Sequence, residues 1–219
     1  MIRQCSLEDI SDGRLYDAND MAKLDTCNCE GCHKCCSNMG ESVVIDPYDF
    51  YLINKATGLD LESLIGDGYL ELNIVDGLIL PNLKMDGDCS FLDKEGRCSI
   101  HEYRPGICRL FPLGRYYNED GFKYFVQKDE CAKNNRAKVK ISKWIDVEDF
   151  EKYEEFVLKW HKFIRHYGDF CIATDNTNDV NEIVNRILLY FYKFMPDEGA
   201  NVFDHYMQQM ENMLGVYLV

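Results

Sequence analysis

From Trp144 onward, apolar residues recur three and four positions apart. Val147, Phe150, Tyr153, Phe156, Val157 and Trp160 fall on one face of a helix. A polar break, Thr174-Asp175-Asn176-Thr177-Asn178, predicts the end of that helix. A second amphipathic helix is expected over 180–195, stopped by Pro196, and a third over 201–214. Before residue 142 the apolar runs are shorter. Val43-Val44-Ile45 reads as extended chain. Asp46-Pro47 then reads as an N-cap followed by proline in the first turn, with Gly58 as the C-terminal stop. Leu59-Asp60 leads into a short helix over 61–65. Apolar runs at 69–75 and 78–83 flank Asp76-Gly77, a hairpin signal. A further hairpin is expected from 113–117 and 122–127 around Asn118-Glu119-Asp120-Gly121. Residues 1–26 are polar and weakly periodic, and 16–22 fits a short helix or a lead-in loop. The pattern predicts an α+β fold. A small cysteine-rich core of hairpins, loops and short helices occupies 1–141, and a helical C-terminal region, 142–219, packs on it.

The cysteines change the picture. Cys27, Cys29, Cys32, Cys35 and Cys36 fall within ten residues. Thiols this close are poor packing material and compete to ionise, but several sulfurs can face one metal ion or cluster. A second set follows at Cys89, Cys98 and Cys108, with Cys131 beyond. The turn sequence Asp93-Lys94-Glu95-Gly96-Arg97 should bring Cys89 and Cys98 together. Cys108 sits after Arg104-Pro105-Gly106, a sequence that starts a helical turn. The expected metal ligands are therefore Cys29, Cys32, Cys35, Cys36, Cys89, Cys98, Cys108 and Cys131, with Cys27 as a ninth candidate. These eight thiolates suit two four-sulfur sites, or one site with further ligands available. Adjacent Cys35 and Cys36 do not easily point at one centre, so they are expected to serve two sites or to bridge a dinuclear one. Cys5 and Cys171 stand apart and read as free thiols, Cys171 as a buried one.

Composition and charge narrow the function. The chain has 219 residues, 46% of them hydrophobic, which bounds it to one domain or one domain with an appendage. A net charge of −14 argues against nucleic acid and anionic membrane surfaces as partners. The N-terminal residues lack the apolar core of a signal peptide, and no apolar run is long enough to span a bilayer. A cytoplasmic protein is expected, in which the 11 cysteines are reduced rather than paired in disulfides.

Thiolates around a metal leave net negative charge that must be offset locally. Lys94, Arg97, Arg104, Arg109 and Arg115 lie between Cys89 and residue 115. Arg104 and Arg109 are the candidates to neutralise and hydrogen-bond the cofactor's sulfurs, with Tyr103 as a neighbouring donor. His33 and His101 lie near the cysteines, and His33 reads as a loop residue facing solvent.

These motifs resemble the YkgJ-type cysteine-cluster family, zinc- or iron-chelating domains with a CxxCxxCC signature. The resemblance covers Cys29-x2-Cys32-x2-Cys35-Cys36, Cys89-x-Phe91-Leu92, Cys98-Ser99-Ile100-His101 and Arg104-Pro105-x2-Cys108-Arg109-x-Phe111-Pro112. His101 stands where the family often has tyrosine, and Cys27 and Cys131 are additional to the signature. The resemblance implies a metal or iron–sulfur site at these cysteines and no settled reaction. Some relatives with a similar CxxxCxxxCC-type cluster resemble flagellin lysine N-methylases, although no glycine-rich nucleotide loop is seen in this sequence.

The expected function is an iron–sulfur metalloprotein, with a 4Fe–4S cluster favoured over Zn2+. It would act in redox or cluster-dependent modification chemistry on an unidentified redox partner or substrate. The alternatives are a structural or storage zinc protein whose helical tail binds a partner, and a protein lysine N-methylase-like enzyme.

Overall fold

The computed structural model describes residues 6–24, 32–131 and 137–217. The expectations for Cys5, Cys27 and Cys29 lie outside them. The described chain opens with α1 (Leu7–Ile10) and β1 (Met21–Lys23), and β1 pairs antiparallel with β8 (Lys138–Lys140). Of the two readings for 16–22, the non-helical one holds. Asp17–Asp20 form a turn closed by an Asp20 N–H to Asp17 carbonyl bond of 3.0 Å, and the chain then enters β1.

Local signals place the next elements. Helix α2 (Pro47–Thr57) starts at Asp46, whose carboxylate accepts from the Asp49 amide at 2.8 Å, and ends at left-handed Gly58. Helix α3 (Leu61–Gly66) is capped by Asp60 in the same way. Strands β2 (Leu70–Val75) and β3 (Leu78–Leu83) form the expected hairpin. Asp76 and Gly77 both have positive φ, as a two-residue primed turn requires. A small ribbon of β4 (Met85–Asp86) and β5 (Asp88–Cys89) follows, turned at Gly87. After the short helix α4 (Gly106–Leu110), strands β6 (Leu113–Asn118) and β7 (Gly121–Val126) make another hairpin. Its loop is two residues shorter than expected, because Asn118 pairs with Gly121 and its side chain accepts from the Asp120 amide.

The tail holds α5 (Ile141–Ile145), α6 (Phe150–Ala173), α7 (Thr177–Tyr192) and α8 (Val202–Tyr217). The expected first tail helix is divided: Trp144 falls in α5, Val147 in the turn that follows, and α6 begins at Phe150. Asp146 and Asp149 take left-handed φ values of 53° and 54°, which Asp tolerates, and they turn the chain between α5 and α6. Helix α7 begins three residues before the expected start because Asn176 accepts from the Asn178 amide at 3.1 Å.

One hydrophobic cluster includes residues from both sides of position 142. Tyr48 of α2 stands 4.7 Å from the Phe203 ring of α8 and 5.9 Å from Tyr153 of α6. Tyr192 of α7 donates from its buried hydroxyl to the Ile45 carbonyl at 2.7 Å. The β2–β3 turn docks on α6, where a Cβ at Gly168 would lie 2.3 Å from the Asp76 carbonyl oxygen. Among the described residues no helix is long and apolar enough to cross a membrane.

Candidate metal centre

The first cysteine run is held by a 3-10 turn, Lys34–Cys36, closed by the Cys36 amide on the His33 carbonyl at 2.9 Å. Ser37 then staples this turn to the second cysteine set. It bridges Asp88 in antiparallel fashion, and its hydroxyl donates to the Asp88 carboxylate at 2.5 Å. The next amide, Asn38, donates to the Gly87 carbonyl at 2.6 Å. Because Cys89 ends β5, these bonds carry Cys35 and Cys36 to it.

Cys89 and Cys98 are drawn together by the turn the sequence predicted. The Asp93 carboxylate accepts from the amides of Glu95 and Arg97 at 2.9 and 2.8 Å, and Gly96 takes a φ of 73°. Leu92 bridges Cys98, and the Ser99 amide bonds the Phe91 carbonyl. Each sulfur accepts a bond from the amide two residues later: Cys89 from Phe91 and Cys98 from Ile100. The His33 ring lies over this turn, with Nδ1 3.1 Å from where a Cβ on Gly96 would sit. Cys108 arrives from a third direction on α4.

The electrostatics define the group. Cys35, Cys36, Cys89, Cys98 and Cys108 act on one another across the three segments. The Cys36 thiol hydrogen-bonds Cys35, which lowers Cys35 to about 7 and raises Cys36. The two adjacent thiols are therefore in contact with each other. Burial is the first cause that raises Cys89, Cys98 and Cys108, and neighbouring thiolates add to it. The Arg104 charge works the other way on Cys35 and Cys98. Several half-buried thiols that oppose one another's ionisation fit a soft cation, which turns that repulsion into ligation. Among the described residues, no three Cys, His, Asp or Glu side chains already converge on one point at ligand distance. The eight described cysteines are all free, seven of them half-buried and Cys171 buried.

The remaining predicted residues fall as follows. Cys32, half-buried, leads into the 3-10 turn; Cys131, half-buried, follows β7, and no described contact joins it to the five. Arg104 Nη1 stands 3.2 Å from both ring nitrogens of His101 and donates to the His101 carbonyl at 2.9 Å. Buried Arg109 turns its donors to backbone carbonyls. Nε donates to Arg104 at 3.0 Å, Nη1 to Asp146 at 3.2 Å and Nη2 to Glu102. Tyr103 is partly buried against the core.

Sequence reasoning missed a polar group behind α4. Asp49 of α2 is 3% exposed, and its Oδ1 accepts from the Gly106 amide at 2.6 Å. Arg115 Nη2 donates to the Tyr153 hydroxyl at 2.7 Å, and its guanidinium lies 5.6 Å from the Tyr153 and Phe122 rings. Burial raises Asp46 to about 6 and Asp49 well above the usual carboxylate range, while the Arg115 charge pulls both down. In the sequence, Asp46-Pro47-x-Asp49 signals only a helix start; its contact with Gly106 spans 57 positions and has no local signature.

Free thiols carried by three segments beside an arginine define a cysteine-cluster metal-binding domain. Residues 28–132 match the model of the CxxCxxCC family, described as a putative zinc- or iron-chelating domain. Neither the curated proteins nor the solved structures yield a match to the chain.

Proposed function

We propose that this chain is a cytoplasmic iron–sulfur protein acting in redox or cluster-dependent modification chemistry. The observation that carries the reading is the mutual neighbourhood of Cys35, Cys36, Cys89, Cys98 and Cys108. These five, completed by Cys29, Cys32 and Cys131, would hold the metal. Because Cys35 and Cys36 each interact with Cys89 and Cys108, both are assigned to one shared centre. A bound 4Fe–4S cluster would supply one-electron chemistry, or a Lewis-acid position if one iron lacks a protein ligand. The chain's own groups prepare the place. Arg104 offsets thiolate charge, and the Phe91 and Ile100 amides donate to sulfur. The partner is a redox protein or a substrate, and a net charge of −14 supports one other than nucleic acid or an anionic membrane.

A second reading is a structural zinc site whose helical tail binds a partner. It is favoured by the matching sulfur–amide bonds at Cys89 and Cys98, an arrangement equally suited to closed tetrahedral zinc. Purification without oxygen, followed by an absorption spectrum and iron, sulfide and zinc content per chain, separates the two. Broad visible absorption that bleaches on reduction, with matching iron and sulfide, supports the cluster. A colourless protein with stoichiometric zinc replaces it with the second reading.

A further inference from the structure

We propose that Asp49 is a positioning residue of the metal centre, whose interior carboxylate fixes the backbone that presents Cys108. The inference rests on the reading of Cys108 as a ligand.

Capping α2 does not require an interior carboxylate. The Asp46 side chain already accepts from the Asp49 amide, and the return bond from the Asp46 amide to Asp49 Oδ2 is long, at 3.4 Å. A residue at this third helical position usually serves its cap from the surface. Asp49 instead points inward, where a carboxylate is costly to hold. Its shortest bond is the one to Gly106, at 2.6 Å.

Gly106 is the first residue of α4, and Cys108 lies two residues on. Helix α4 has no cap of its own: Pro105 precedes it and offers no side-chain acceptor. Asp49 supplies that acceptor from another helix. The approach depends on glycine. A Cβ at Gly106 would lie 3.0 Å from the Tyr153 hydroxyl and 3.3 Å from Asp49 Oδ1. Tyr153 is in turn held by Arg115, so the carboxylate, the glycine and the phenol form one fitted contact. Within α4 itself, Arg109 ties the same segment to the carbonyls of Glu102, Arg104 and Asp146. The backbone around Cys108 is thus held at two residues, Gly106 and Arg109, and Asp49 provides the hold at Gly106.

The test uses the full-length chain and Co2+ as probe, since its thiolate charge-transfer bands report the sulfur ligands. Asp49→Asn, Asp49→Ala, Gly106→Ala and Cys108→Ala are compared with the unaltered chain. Three quantities are read: Co2+ affinity by chelator competition, band position, and the far-UV circular dichroism melt of the metal-free protein. The expected result is about 10- to 100-fold weaker Co2+ binding with shifted bands in Asp49→Ala and Gly106→Ala, and near-unaltered binding in Asp49→Asn, whose amide oxygen still accepts from Gly106. If Asp49→Ala does not fold, Gly106→Ala decides. Loss of binding in Cys108→Ala with unchanged affinity and bands in Asp49→Ala and Gly106→Ala overturns the inference and leaves the ligand reading standing. Unchanged binding in Cys108→Ala removes the ligand reading and this inference with it.

Discussion

Arg109 offers the clearest separation between a residue that serves the cofactor and one that serves the fold. Replacing it with lysine keeps the charge but removes the planar fork that reaches three carbonyls at once. A hydrogen bond from a charged donor contributes about 1.5–3 kcal/mol. Glu102 and Asp146 are exposed residues, so their carbonyls can turn to water once released, and only part of that sum is lost. The net cost should be about 2–4 kcal/mol. In a chain of this length each kcal/mol moves the melting temperature by about 2–4 °C, so Arg109→Lys should melt roughly 4–16 °C lower. Differential scanning calorimetry of the metal-loaded protein measures it, alongside metal content at low temperature. A variant that melts with the unaltered chain but loses its metal would refute the clamp and return Arg109 to the cofactor.

Further outcomes follow from contacts elsewhere. Gly168→Ala places a methyl 2.3 Å from the Asp76 carbonyl oxygen, and displacing the β2–β3 turn should cost about 1–3 kcal/mol in urea unfolding; an unchanged midpoint would contradict the docking of that turn on α6. His161 stacks on Tyr117 at 3.7 Å, and burial, followed by the charge of Arg165, depresses it from 6.5 to about 4. A depressed imidazole contributes stability that is complete above pH 6.5 and lost as pH falls towards 4. Solvent around the half-buried ring limits this to about 1–2 kcal/mol, and His161→Phe should remove that part of the acid slope. Removing the metal with a chelator under reducing conditions should lower a single transition seen both by circular dichroism and by tryptophan fluorescence. Tyr48 and Tyr192 tie the cysteine-bearing part to the tail, so two separated transitions would show that this coupling fails.

What could be read from the sequence were features with local causes. Asp46-Pro47 and Gly58 bounded α2, Asp76-Gly77 made its hairpin, and Asp93 to Arg97 brought Cys89 to Cys98. Each depends on side chains a few residues apart. The β1–β8 pair was not legible, because Met21 meets Lys140 across most of the cysteine-bearing part and both strands are three residues long. The break at Asp146 and Asp149 was hidden because the apolar spacing continues through it while the backbone turns. At the site, cysteine spacing pointed to the thiols, but charge alone could not separate Arg104 from Arg109. Arg104 contacts His101 and reaches Cys35 and Cys98 by its charge, whereas Arg109 is held by three carbonyls, and only the path of the backbone between Glu102 and Asp146 decides which.

The staple between Ser37 and Asp88 also sets an order of assembly. Closing the Cys89–Cys98 turn joins positions nine apart, whereas the Ser37–Asp88 bond closes a loop of 51. Loop-closure entropy makes the longer loop about 1.5 kcal/mol harder to close. The first cysteine run leaves the ribosome earlier, yet the later pair is the cheaper to form. The chain therefore presents its thiols in one order, while closure entropy favours joining them in the reverse.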